Sequence, residues 1–410
     1  MNAIDSFFLS IDGENTSQKV GCLGLCEGVI DKTVFIERLR QLLPRMPQLA
    51  TLLPAPANEG HRKSIPDFDP VTNVSSTLLR NSKEMEEHVA AHFSSRFRQD
   101  LPPWHLNVIS FEKDDKPQTA FLYEIHHSLA DGIGGIELVY AMLDSQVNSL
   151  PGRHLPPLPQ NPDKATLGQQ LRAITREIRS SITASSFNGI NSQNRRFIML
   201  DFDKTELTSL KRLVSTGFND LMLAAVAIAS RYYQERGKKP LTALRAVIPI
   251  NLRTSRERYD LGNRLTGASF PLSLATDIRQ QLQDTTQTIN RMRHSGAFSA
   301  YSMLARGISR LPAKAQLWFY RQQIGRTNFI CTNMPGPLSP QKIADNPLSS
   351  LYIFPALMPG HGLGYGFYTY CNKVHVSLTF DPAIIADENL LHQCLKDAFR
   401  DLLALAKSAV

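Results

Sequence analysis

His126-His127-Ser128-Leu129-Ala130-Asp131-Gly132 is the stretch on which the reading of this chain turns. Thr119 to His127 alternates as a strand does, and Ile133, Ile136, Val139 and Leu143 recur at helical spacing after it. Strand side chains alternate between faces. Phe121, Tyr123, Ile125 and His127 therefore share one face, and Leu122, Glu124 and His126 the other. Only one of the two histidines can enter a given cavity. An imidazole at a strand end can take a proton from a hydroxyl near neutral pH, because its ordinary pKa lies close by. Acyl transfer to an alcohol or amine is the chemistry this first suggests. Asp131 admits two geometries: it orients the imidazole as in a triad, or it turns away to hold an arginine and fix the loop. Gly132 either clears space for substrate or permits a positive φ. The plainer alternative makes both histidines buried polar residues with hydrogen-bond partners.

The 410 residues suggest two domains or two fused halves, and 42% hydrophobic with 20% charged content is ordinary for a globular chain. No stretch approaches the ~18 apolar residues of a membrane span. The longest apolar run, Leu221 to Ala229, fits a buried helix. Met1-Asn2-Ala3-Ile4-Asp5 lacks the features of a signal peptide, so a cytoplasmic location is expected, with peripheral membrane contact as an alternative. The five cysteines (Cys22, Cys26, Cys331, Cys371 and Cys394) are odd in number, fit no zinc pattern and read as reduced, mostly buried residues. The net charge of +8 favours anionic partners such as lipid headgroups or a phosphorylated co-substrate. Nucleic acid is not expected, because the basic residues are dispersed and no recognised module is present.

Residues 1–149 alternate strand and helix patterns. Strands are expected over Lys19 to Cys26 and Trp104 to Glu112, and helices over Lys32 to Leu43 and Met85 to Phe97. Residues 150–195 hold a linker rich in proline (Pro151, Pro156, Pro157, Pro159, Pro162) and a helix carrying Leu167, Leu171, Ile174, Ile178 and Ile182. Residues 196–410 repeat the mixed pattern, with strands over Arg196 to Phe202, Ala243 to Pro249, Phe329 to Thr332, Gly366 to Tyr370 and Val374 to Phe380. Helices are expected over Asn219 to Arg231 and Glu388 to Ala406. Two α/β halves with a site between them is the architecture expected.

The opening stretch resembles the HHxxxDG signature of the chloramphenicol-acetyltransferase-like acyltransferases. Further segments resemble one branch, the wax ester synthase/diacylglycerol acyltransferase family. These are Ile4-Asp5-Ser6-Phe7-Phe8-Leu9, Phe218-Asn219-Asp220-Leu221-Met222-Leu223-Ala224, Val247-Ile248-Pro249-Ile250-Asn251-Leu252-Arg253, Leu261-Gly262-Asn263-Arg264 and Thr332-Asn333-Met334-Pro335-Gly336-Pro337. They span nearly the whole chain in order. Pro102-Pro103-Trp104 departs from the family's usual Pro-Leu-Trp, and Thr332 stands where a serine is usual.

The resemblance implies an α/β fold of two chloramphenicol-acetyltransferase-like halves with the active site in a tunnel between them. It makes His127 the general base, His126 a supporting residue, Asp131 a loop anchor with Arg253 as its partner, and Gly132 a space-maker. Asn219, Asp220, Thr332 and Asn333 become the substrate or oxyanion candidates, with helix capping and turn-holding as the structural alternatives for the asparagines. The implied activity is acyl-CoA-dependent O-acyl transfer forming an ester of the wax ester or triacylglycerol type. The alternative is a condensation-type enzyme acylating a hydroxyl or amine of a polar metabolite, with a carrier-protein thioester as a further donor. Acyl-CoA is then a co-substrate, and neither a bound cofactor nor a metal is called for. Arg306, Arg310, Lys314, Arg321 and Arg326 offer a basic run for its phosphates, or simply a solvated helix face. Leu317, Trp318, Phe319 and Tyr320 offer an apolar cluster for the core, a lipid or a membrane. The glycines from Gly360 to Gly366 suit either a tunnel wall or a plain loop.

Overall fold

The computed structural model describes residues 3–54, 62–146, 185–253, 261–308 and 310–407, with isolated positions between 166 and 175. The proline-rich segment and most of the helix expected after it lie outside the described residues. The strands are β1 (Lys19–Glu27), β2 (Val74–Asn81), β3 (Trp104–Lys113), β4 (Lys116–His126), β5 (Arg196–Asp203), β6 (Leu244–Asn251), β7 (Leu265–Leu272), β8 (Phe329–Pro335), β9 (Lys342–Ile343), β10 (Asn346–Phe354), β11 (Leu363–Tyr370) and β12 (Lys373–Phe380). They form two six-stranded sheets, ordered β2-β3-β4-β1-β10-β9 and β5-β12-β11-β8-β6-β7.

Helices α1 (Ala3–Ile11), α2 (Lys32–Leu42), α3 (Ser82–Ser94) and α4 (Gly132–Ala141) accompany the first sheet in sequence. Helices α5 (Lys204–Leu213), α6 (Phe218–Arg236), α7 (Ile278–His294), α8 (Ala297–Ile308), α9 (Ala313–Ile324) and α10 (Glu388–Lys407) belong to the second half. The helix expected over Met85 to Phe97 starts earlier, because the Asn81 side chain accepts from the Glu84 amide at 3.0 Å and caps it there. The Leu221 to Ala229 run lies in α6, where every residue of it is buried. Among the described residues no single helix is long and apolar enough to cross a membrane.

The halves share strands. β10 comes from the second half but pairs antiparallel with β1, and β9 follows it into the first sheet. Where β10 lies over the second sheet the backbones approach closely: a Cβ on Gly366 would meet the Ile353 carbonyl oxygen at 2.3 Å. Ser377 Oγ donates to that same Ile353 carbonyl, and Tyr352 OH donates to Asp201 at 2.7 Å. Gly366 therefore serves sheet-to-sheet packing, whereas a Cβ on Gly364 would meet its cross-strand neighbour Ile330, within the same sheet, at 2.8 Å.

Candidate active site

β4 runs between β1 and β3, and from Thr119 onward its residues are buried. His127 follows its last residue and is held at once by the backbone, its amide donating to the Gln18 carbonyl at 2.8 Å. Its ring stacks on Phe8 of α1, with centroids 3.7 Å apart and planes within 9°. Asn263 completes the collar. Its Nδ2 donates to the His127 carbonyl at 2.6 Å and to Asp5 Oδ1 at 2.9 Å, so its Oδ1 is the atom turned to His127 Nδ1, 3.1 Å away. An amide oxygen only accepts, so Nδ1 carries the proton and the Nε2 lone pair is left for a substrate. Burial pushes the imidazole down to about 4, against the opposing pull of hydrogen bonds and the Asp131 charge. The ring is therefore neutral, and able to accept a proton, across the physiological range.

His126 faces the other way. The Ser128 amide donates to its Nδ1 at 3.1 Å, which places the ring proton on Nε2, 3.6 Å from Asp12 Oδ1. Asp131 caps α4, its Oδ1 accepting from the Gly134 amide at 2.9 Å. Its Oδ2 accepts from the Arg264 amide at 2.9 Å and from Arg253 Nη1, an ion pair almost wholly buried on both sides. Arg253 Nη2 goes on to the Gly262 carbonyl at 2.8 Å, and Ala130 and Gly262 form a β-bridge. The four hydrogen-bonding groups therefore sew the histidine loop to the loop that carries Asn263. Gly132 does not have a positive φ; a Cβ there would press on Met334 Sδ at 3.0 Å, so its use is space.

The remaining candidates divide by strand parity. Ile330 and Met334 of β8 lie one on each side of Thr332 and share its face. Ile330 walls the cavity beside His127 and Met334 sits against Gly132, so that face is the one toward the histidine loop. Asn333 points oppositely and donates through Nδ2 to Asn219 Oδ1, at the start of α6. Asp220 is turned back on its own helix start, accepting from Thr216 Oγ1 at 3.1 Å. None of the four, Thr332 included, is among the residues that line the cavity.

That cavity encloses about 890 Å³, its mouth included. Phe7 and Phe8 come from α1, Leu304 and Ile308 from α8, Phe319 and Tyr320 from α9, and His127 supplies a nitrogen base in the otherwise largely apolar wall. It is thus built from both halves of the chain. Four of the cysteines are buried and Cys371 is half-buried, and all are unpaired. Burial pushes the Cys22 and Cys26 thiols up to about 12 and Cys394 to about 11, so none of these is a ready nucleophile. His361 is buried and bonded to Thr327 Oγ1 at 3.1 Å, one step behind the wall. Arg306, Arg310, Lys314 and Arg321 are exposed on α8, α9 and the turn between them. Asn263, Asp5 and Phe8 are the site residues that motif reading assigns no role, although both stretches containing them stand out.

Residues 1–292 match the wax ester synthase/diacylglycerol acyltransferase catalytic domain, and residues 261–403 match the WS/DGAT C-terminal domain. A probable diacylglycerol O-acyltransferase of Mycobacterium tuberculosis is 24% identical over 99% of this chain and 96% of its own length. An O-acyltransferase of Acinetobacter baylyi is 23% identical over 72% of each chain. In structure, the wax ester synthase/diacylglycerol acyltransferase of Marinobacter aquaeolei superposes with a TM-score of 0.71 at 20% identity, covering 99% of both chains. The starter condensation domain of rhizomide synthetase has the same fold, with a TM-score of 0.64 at 15% identity, covering 99% of this chain and 94% of its own.

Proposed function

The chain belongs to the wax ester synthase/diacylglycerol acyltransferase family and is an acyltransferase that forms esters, and from that premise we propose that His127 is its general base and that the apolar cavity holds the alkyl chain of a lipid substrate. The observation that carries this is the junction of a largely apolar cavity with one neutral imidazole whose Nδ1 is already engaged. The acceptor hydroxyl gives its proton to His127 Nε2 as its oxygen attacks the thioester carbonyl. The tetrahedral intermediate collapses, the carbon–sulfur bond breaks, and the thiolate leaves with the proton from Nε2. The oxyanion needs a donor placed in advance. Thr332, on the strand face turned to the histidine loop, is the side chain we assign to it. Asp131 and Arg253 position the loop and do not touch the reacting atoms.

Acyl-CoA is the donor we propose, as is usual for an acyltransferase of this kind; a starter condensation domain of the same fold was solved with C8-CoA. The acceptor we propose is a fatty alcohol or a diacylglycerol, since a largely apolar wall gives a polar metabolite little to bond with. The outer surface of the α8–α9 pair supports delivery from a membrane surface. Trp318 is 64% exposed and Leu311 46% exposed among basic side chains, while the inner surface walls the cavity. This reading describes a cytoplasmic enzyme working at a lipid surface.

The test is thiol release from acyl-CoA donors of several lengths, and from an acyl-carrier thioester, against a panel of fatty alcohols, diacylglycerol, polar alcohols and amines. Turnover should be greatest with the lipid alcohols and acyl-CoA, and His127→Ala should abolish it. Equal release by wild type and His127→Ala with every acceptor overturns the assignment.

A further inference from the structure

On the sheet face opposite His127, three potential ligands converge from three elements. His92 ends α3, and His105 and Glu124 are cross-strand partners in the β3–β4 register. His92 Nδ1 lies 3.1 Å from Glu124 Oε2, His105 Nδ1 lies 3.8 Å from the same oxygen, and all three atoms fall within 4.8 Å of one another. Bonds of about 2.0–2.2 Å to a tetrahedral zinc ion imply ligand-to-ligand edges of about 3.4 Å. The two measured separations bracket that value.

The surroundings also suit an ion. His105 Nδ1 is buried and makes no hydrogen bond, while its Nε2 is 3.1 Å from Ser75 Oγ. A hydroxyl accepting from Nε2–H leaves the lone pair on Nδ1, the atom turned to the carboxylate, which is the usual way an outer partner prepares a histidine ligand. Lys19 Nζ holds Glu124 through the other oxygen, Oε1, at 3.3 Å, and also donates to the His92 carbonyl at 2.7 Å. A metal on Oε2 would leave that pair intact. Glu124 is buried, but each imidazole is a quarter exposed, so an ion has a path in. His88, one turn earlier on α3, has its ring 4.6 Å from that of His92.

We propose that His92, His105 and Glu124 form a binding site for one divalent transition-metal ion of the zinc type, tying α3 to the β3–β4 hairpin. Water completes four-coordination. The site is separate from the acyl-transfer chemistry we propose, because Glu124 projects from the opposite face of the strand that leads into His127.

The test uses the full-length protein, stripped with a chelator and titrated with Co²⁺ and Zn²⁺. One equivalent of Co²⁺ should bring up the visible bands of a tetrahedral complex, and Zn²⁺ should displace it and raise the unfolding temperature. His92→Gln and His105→Gln should each weaken binding at least tenfold, whereas His127→Gln should leave it unchanged. Should either variant fold poorly, the wild-type titration decides by itself. Absence of saturable binding to wild type overturns the site and leaves an ion-pair network around Lys19. Binding that survives both variants, or vanishes with His127→Gln, overturns it equally.

Discussion

Asn263 Oδ1 lies 3.1 Å from His127 Nδ1, and the same amide donates to the His127 carbonyl at 2.6 Å. One side chain thus fixes both the tautomer and the backbone position of His127, the base we propose, in the place that aspartate takes in a triad. Asn263→Ala should therefore lower kcat/KM by about 10²-fold, the scale of a misplaced catalytic group. It should also cost about 1–3 kcal/mol of stability, because Asp5 and a buried carbonyl lose a donor. Steady-state kinetics beside urea unfolding separates the two effects, and unaltered turnover would remove Asn263 from the machinery.

Asp131→Asn should act through folding. The substitution removes the Asp131 charge from beside the fully buried Arg253 guanidinium. Breaking such a pair from one side costs about 3–5 kcal/mol. The unfolding midpoint should fall sharply, and an Asp131→Leu/Arg253→Met double variant should recover part of the loss. A stable Asp131→Asn protein with turnover lost would instead make Asp131 an orienting residue for His127.

Cavity size should set chain length. Ala305 is buried in α8 and lines the cavity, so Ala305→Phe places a ring in the path of an alkyl chain. The longest efficient substrate should become shorter, while short-chain turnover stays near wild type. Competition between short and long substrates measures the shift directly, and an unchanged profile would mean that the chain binds elsewhere.

Acid should destabilise the protein before it silences the base. His127 and His361 are both pushed down to about 4 by burial, from an ordinary 6.5. Below 6.5 the unfolded chain binds protons that these buried rings refuse, so stability should fall between pH 6.5 and 4. Two such histidines give a limiting slope of about 2.7 kcal/mol per pH unit. His361→Phe should reduce the slope by up to about 1.4 kcal/mol per pH unit, the share of one such histidine. The acid limb of kcat/KM for the folded enzyme should lie near 4 rather than 6.5, because His127 must be neutral to work. Urea midpoints across that range, together with a pH–rate profile, test both statements.

Two glycine substitutions should differ widely. Gly366→Ala drives a methyl group into the Ile353 carbonyl, at 2.3 Å, and neither backbone can give way. Gly132→Ala meets the sulfur of Met334, the far part of a flexible side chain, at 3.0 Å. The first should lower the melting temperature severely and the second mildly. Equal effects would deny that Gly366 marks the junction of the sheets.

Much of the active loop is legible from local pattern alone. Strand parity separates His127 from His126, and the same parity separates Thr332 from Asn333 once Ile330 is placed in the cavity wall. What pattern does not reveal is which residues hold His127. Asn263 and Asp5 are far from His127 in the chain, and a lone buried amide has no periodicity. β2 and β7 are missed because their alternation is broken by polar or small residues such as Ser75, Ser76 and Gly267. β10 is missed because its second half, Ser350 to Phe354, is buried without alternation, which helices and strands share. The His92–His105–Glu124 group is equally hidden, since it exists only through a strand register.

The shared strand β10 has a consequence for how the protein comes into being. Leu25 and Ser349 touch across 324 positions of chain. During synthesis β1 therefore emerges with one edge open, and its partner is made only when most of the message has been read. An unpaired apolar edge invites pairing with other chains, and closure over such a distance is slow. The nascent polypeptide must be kept from association for the greater part of its translation, and two gene fragments divided at the proline-rich segment would have to be expressed together for either to become soluble.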